Sequence, residues 1–220
     1  MRILALDPSK KSTGWAWFDA ARAARLAAEH AALPDDGSCC AQTCGPDCAC
    51  PCHDDWNPAS AAMHGVWDRL GSEYTSRGQL YYAIYKALLD HQTVMPFDVI
   101  YAEEPVNLLP GGVATTAENI WISVGMAAMV ELYANTRGAR LVWVHQARWR
   151  REFLGKMPRA TKSAELKDLA IARARQLGFR PQRHDDAEAI GILDYALEVE
   201  RIPCPWRAQE VLRPMLGVGR

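Results

Sequence analysis

Two short runs constrain this chain most: Ile3-Leu4-Ala5-Leu6 stops at Asp7-Pro8, and Val99-Ile100-Tyr101-Ala102 stops at Glu103-Glu104-Pro105. A run that is apolar on both faces suits a strand inside a parallel or mixed sheet. A carboxylate at the end of such a strand is costly unless it is paired or bound to a cation. Asp-Pro-Ser-Lys is also ordinary turn chemistry, so Asp7 alone leaves both readings open. The oddity returns a third time, where His184-Asp185-Asp186-Ala187-Glu188 opens the last helical pattern.

The three places belong together if the strands carrying Asp7 and Glu103 lie side by side and parallel. Both acids then emerge at the C-terminal edge of the sheet, where α/β folds place their sites. Asp185 and Glu188, spaced i, i+3, share one stripe of a helix whose first turn can reach that edge. Four carboxylates gathered there repel one another, and hard divalent ions with oxygen ligands resolve the repulsion. Taken singly, Asp185 and Asp186 are also good helix-opening residues.

The rest of the chain supplies the frame. Strands are expected at Arg2–Leu6, Thr13–Phe18, His64–Gly71, Phe97–Glu103 and Ala139–His145. Helices are expected at Ala20–Ala32, Ser76–His91, from Thr115 to Asn135 with Thr116 as a cap, around Arg148–Phe153, at Ser163–Leu177 and at Asp185–Arg201. Strands first, then helices alternating with strands, predict an α/β fold: a mixed five-stranded sheet covered by helices. Residues 1–220 form one domain on this reading. Residues 33–58 are an insertion between the second and third strands, and residues 203–220, with three prolines, an irregular tail.

Hydrophobic residues at 49% and charged residues at 23% are ordinary for a globular chain with a real core. No apolar run approaches the roughly 20 residues of a membrane span, and no signal-peptide pattern opens the chain; a cytoplasmic protein is expected. The formal charge of −1 hides an asymmetry. Eleven Lys/Arg between Gln146 and Arg183 face three acids, which suits a polyanionic partner. A solvated helix surface is the alternative reading.

Six of the seven cysteines fall between Cys39 and Cys52. In an intracellular chain such density favours a metal site over disulfides, and Cys39, Cys44, Cys48, Cys50, Cys52 and His53 offer ligands for zinc. The spacing is not a clean pair of CxxC motifs, and an oxidisable loop is the alternative.

ILALDPSKKSTGWA, DVIYAEEPV and HDDAEAIGILDYALE, in that order, resemble the three motifs of RuvC-type Holliday-junction resolvases of the phage kind, within the RNase H-like superfamily. Asp7, Pro8, Thr13, Gly14 and Trp15 fit the first motif, Glu103 the second, and Asp185, Ala187, Glu188, Ala189 and Ile190 the third. The resemblance covers about 1–17 and 63–199. It implies an RNase H-like fold, a homodimer without organic cofactor, and hydrolysis of phosphodiesters in branched DNA by two Mg²⁺ or Mn²⁺ ions held by Asp7, Glu103, Asp185 and Glu188. Glu188 stands where the family has aspartate, so Asp186 is a rival fourth ligand. A nuclease of RNA–DNA hybrids and an inactive DNA-binding relative share the same fold.

DNA contacts are expected from Arg148, Arg150, Arg151, Lys156, Lys162 and Lys167, with affinity falling as salt rises. Trp149 and Phe153, interleaved with the arginines, suit either base stacking or core packing of a short helix.

Overall fold

The computed structural model describes residues 1–31, 57–72, 74–105, 116–158 and 161–207. The proposed zinc ligands Cys39, Cys44, Cys48, Cys50, Cys52 and His53 lie outside the described residues.

The sheet has five strands: β1 (Arg2–Pro8), β2 (Ser12–Asp19), β3 (Ala62–Asp68), β4 (Val99–Glu103) and β5 (Arg140–Val144). Their order is β3-β2-β1-β4-β5. β1 pairs antiparallel with β2 and parallel with β4, and β4 pairs parallel with β5. The central place of β1 and β4 explains their composition: Ile3 to Leu6 and Ile100 to Ala102 are fully buried. β3 starts two residues earlier than the sequence suggests, because β2 runs to Asp19 and pairs Phe18 with Ala62 through Ser12 with Asp68.

Side chains alternate across the sheet and feed two cores. Ile3, Ala5, Ala16, Phe18, Val99, Tyr101 and Val144 face one layer; Leu4, Leu6, Trp17, Ile100 and Ala102 face the other. The second layer is α2 (Arg77–Val94) and α3 (Ala117–Arg137). Ser76 opens α2 with a capping box to Gln79, and Thr116 caps α3 by accepting from the Asn119 amide. The first layer is α4 (Gln146–Leu154), α5 (Ser163–Gln176) and α6 (His184–Val199), with α1 (Ala20–Ala31) at its margin.

α6 is the pivot of that layer. Eleven of its 16 residues are buried, against β1 and β2 beneath it and α4 and α5 beside it. Helix packing at this depth requires small residues at the crossings: a Cβ on Gly191 would fall 2.7 Å from Cζ3 of Trp149 and 2.9 Å from Cδ1 of Phe153. Trp149 and Phe153 are 0% and 1% exposed, so both are core residues of α4 and neither stacks on a base.

The described start of the tail is folded onto the core. Pro205–Arg207 form a 3-10 turn whose Trp206 is buried against Phe18 and Phe179. Asp194 of α6, 0% exposed, accepts from Trp206 Nε1 at 3.0 Å and Arg207 Nε at 2.8 Å, and forms an ion pair with Arg207. Among the described residues no helix is long and apolar enough to cross a membrane.

Candidate active site

Strand parity puts Asp7 two positions beyond Ala5 and Glu103 two beyond Tyr101, on the face that α6 covers. Ala102 pairs with Leu6, so the two acids leave adjacent parallel strands at the same edge. Glu104 falls on the opposite face and lines a cleft of about 210 Å³ with Ser9, Asn119, Ser123 and Trp143, while Glu103 borders it.

α6 brings the remaining acids. Ligand oxygens of Asp7, Asp185 and Glu188 all lie within 4.8 Å of one another. What lets α6 descend so far is Gly14, which sits opposite Asp7 on β2: a Cβ there would overlap the Asp185 carbonyl. The Thr-Gly of the first motif is thus a seat for the third. Ser12, on the same face of β2 as Gly14, donates from Oγ to Asp185 Oδ2.

Asp186 turns elsewhere. Its carboxylate, 2% exposed, contacts His64 Nδ1 at 2.7 Å and accepts from the Gln182 amide at 3.1 Å. Of the two rivals for the fourth acidic position, Glu188 is therefore the one brought to Asp7 and Asp185; Asp186 braces the start of α6 against β3.

α4 ties the remaining acids down. Glu103 accepts from Gln146 Nε2 at 2.8 Å and from Trp149 Nε1 at 2.9 Å. One residue further on, Arg150 forms an ion pair with Glu188 and lies 5.2 Å over the Trp149 ring. Lys167 of α5 stands 3.8 Å from Glu188 Oε2. Of the six basic residues singled out in the sequence, Arg150 and Lys167 therefore point into the acidic cluster. Arg148, Arg151, Lys156 and Lys162 are exposed.

The electrostatics are unbalanced. Burial pushes the Asp7 carboxyl well above the usual carboxylate range, and Glu103, Glu188 and Asp185 push it further, with Lys167 opposing. Burial likewise raises Glu103, against the hydrogen bond from Trp149. Asp7 is 9% exposed and Glu188 3%. An all-oxygen donor set with excess negative charge fits a small hard dication and does not fit a soft metal.

Sequence reasoning missed Ser12, Gln146 and Trp149 as partners of the acids. Strand parity held a signal for the first, since Ser12, Gly14, Ala16 and Phe18 share one face. Gln146 and Trp149 carried none, because their acceptor comes from a strand forty residues upstream.

No family model matches the chain, and no curated protein matches it by sequence. Among solved structures it is similar to Thermus thermophilus RuvC, with 13% identity and a TM-score of 0.51, over 91% of this chain and 96% of that one. It is similar to T. thermophilus RuvC in complex with a Holliday junction substrate at the same identity and coverage, with a TM-score of 0.56. The fold of this chain is RuvC-like, a mixed five-stranded α/β sheet flanked by helices.

Proposed function

We propose that this protein is a metal-dependent endonuclease that hydrolyses phosphodiesters in branched DNA of the Holliday-junction kind, working as a homodimer. The observation that carries the reading is the convergence of Asp7, Asp185 and Glu188, with Glu103 on the adjacent strand, at the edge of a RuvC-like sheet. The neighbour with a TM-score of 0.56 was solved with a Holliday junction, which supports branched DNA as the substrate class.

Asp7, Glu103, Asp185 and Glu188 would hold the ions, Mg²⁺ or Mn²⁺, two in number. When bound, such ions supply Lewis-acid stabilisation of the charge that develops on a cleaved phosphodiester. The chain's own residues do the positioning. Gln146 and Trp149 fix the Glu103 carboxylate through two donors, so its orientation is set before DNA arrives. Arg150 and Lys167 offset the charge of Glu188 and leave a cationic rim beside it, to which a phosphate can be drawn. Arg148, Arg151, Lys156 and Lys162 extend that rim as exposed phosphate contacts. Two cuts related by the two-fold axis of a junction call for two copies of the site, which is the argument for a homodimer.

The test uses the full chain and its Asp7→Asn variant with a labelled four-way DNA junction, a plain duplex and an RNA–DNA hybrid, in Mg²⁺ or EDTA. Paired symmetric nicks in the junction, lost in EDTA and in Asp7→Asn, are the expected result. Cutting of the hybrid alone moves the substrate class to RNA–DNA duplexes. Tight junction binding with no cutting in any metal refutes the nuclease.

A further inference from the structure

The Asp185 carboxylate is asymmetric. Oδ2 accepts from the Ser12 hydroxyl, and no hydrogen bond is made by Oδ1 among the described residues. Ser12 is 7% exposed and stands at the first position of β2. Its backbone is fixed from two directions: its carbonyl accepts from the Ser9 hydroxyl across the β1–β2 turn, and its strand position pairs with Asp68 of β3. The donor is therefore set by a strand, unlike the long side chains of Arg150 and Lys167, which can swing.

We propose that Ser12 determines which dication the acidic cluster prefers, by holding Asp185 to ligation through one oxygen. This rests on the reading of the cluster as a metal site. Mg²⁺ takes six ligands in a near-ideal octahedron with carboxylates bound through single oxygens, whereas Ca²⁺ accepts six to eight ligands and tolerates carboxylates that chelate through both. A hydroxyl that donates to Oδ2 draws charge from that oxygen and stops the carboxylate rotating about its last bond. Both effects weaken a two-oxygen grip. Asp7 is buried, and Glu103 is held at both oxygens by Gln146 and Trp149, so Asp185 is the ligand through which coordination number can grow. Glu188 is likewise engaged, at Oε1 by Arg150 and with Lys167 3.8 Å from Oε2.

Removing the hydroxyl frees Asp185 to chelate and shifts preference toward the larger ion. The experiment follows free Mn²⁺ by its electron-spin resonance signal, with the full-length chain, and asks what Mg²⁺ and Ca²⁺ concentrations displace half of the bound Mn²⁺. Ser12→Ala is expected to shift the Ca²⁺-to-Mg²⁺ preference on the order of tenfold toward Ca²⁺, the scale of one hydrogen bond to a charged group. Ser12→Thr, which keeps the donor, restores the wild-type ratio. Ser12→Cys, which keeps the volume and weakens the donor, follows Ser12→Ala. An unchanged ratio in Ser12→Ala, with Mn²⁺ still bound, overturns the role of Ser12 and leaves the metal site standing. Absence of Mn²⁺ binding by the wild-type protein overturns both.

Discussion

Asp7→Asn separates the energetic from the chemical role of the acidic cluster. Ligand oxygens of Asp7, Asp185 and Glu188 lie within 4.8 Å of one another. At an effective dielectric of about 20, two like charges at that distance repel by about 3.5 kcal/mol. Lys167 and the Arg150–Glu188 pair offset part of this, leaving a net repulsion of about 2 kcal/mol in the metal-free protein. Asparagine has nearly the shape of aspartate, carries no charge, and offers an amide that its acidic neighbours can accept. The variant should therefore be more stable than wild type in EDTA, melting about 4–8 °C higher for a domain of this size. In millimolar Mg²⁺ the order should reverse, because wild type gains stability by binding and the variant loses a ligand. Circular-dichroism melting in the two buffers, beside a junction-cleavage assay, checks both halves. A variant that melts below wild type in EDTA would show that the cluster is already balanced without a cation, and the physical case for metal binding would fail.

Three further outcomes follow from the same packing. Gly14→Ala forces the Asp185 carbonyl off β2, costing about 1–3 kcal/mol of stability; it should also weaken Mn²⁺ binding, read by urea unfolding and metal titration. His91 lies among Trp15 at 4.8 Å, Trp67 at 5.5 Å and Phe97 at 6.1 Å, with no partner at Nε2 among the described residues, and burial lowers its pKa from 6.5 to about 4. Between those values the unfolded chain takes up a proton that the folded one refuses. Stability contributed by neutral His91 is thus whole above pH 6.5 and falls by about 3 kcal/mol on acidification to pH 4; a His91→Leu variant should lose that much less over the same range in urea titrations. Arg207→Met strips the buried Asp194 of its counter-charge and should cost about 3–5 kcal/mol, with part of the loss recovered in Asp194→Asn/Arg207→Met, measured as a double-mutant cycle.

The acids were legible in the sequence because each sits where local chemistry is anomalous: Asp7 and Glu103 at the ends of doubly buried strands, Asp185 and Glu188 on one helical stripe. Strand parity also separated Glu103 from Glu104. The sequence put Glu188 ahead of Asp186, because Glu188 shares the stripe of Asp185, but whether that stripe faces Asp7 was not legible. It depends on the rotation of α6 about its axis, which the contact with Gly14 sets from the far end of the chain. The basic segment was ambiguous for a related reason. An alternation of arginine and aromatic residues fits a nucleic-acid surface as well as a short amphipathic helix, and only the close packing against Gly191 shows that Trp149 and Phe153 are buried. The order at Pro205–Arg207 was hidden because its anchor, Asp194, looks like any other acid in a helical stretch.

The position of α6 has a bearing on how the protein is made. Among the described residues, four strands and five helices are synthesised between β1, which carries Asp7, and α6, which brings Asp185 and Glu188. Until then the face of β1 and β2 that α6 will cover, with Ile3, Ala5 and Ala16, lacks that helix. The helix that buries this surface is the one that completes the acidic cluster, so a nascent chain exposes a sticky sheet and holds no assembled set of acids. The acidic cluster is thus assembled only when α6 docks.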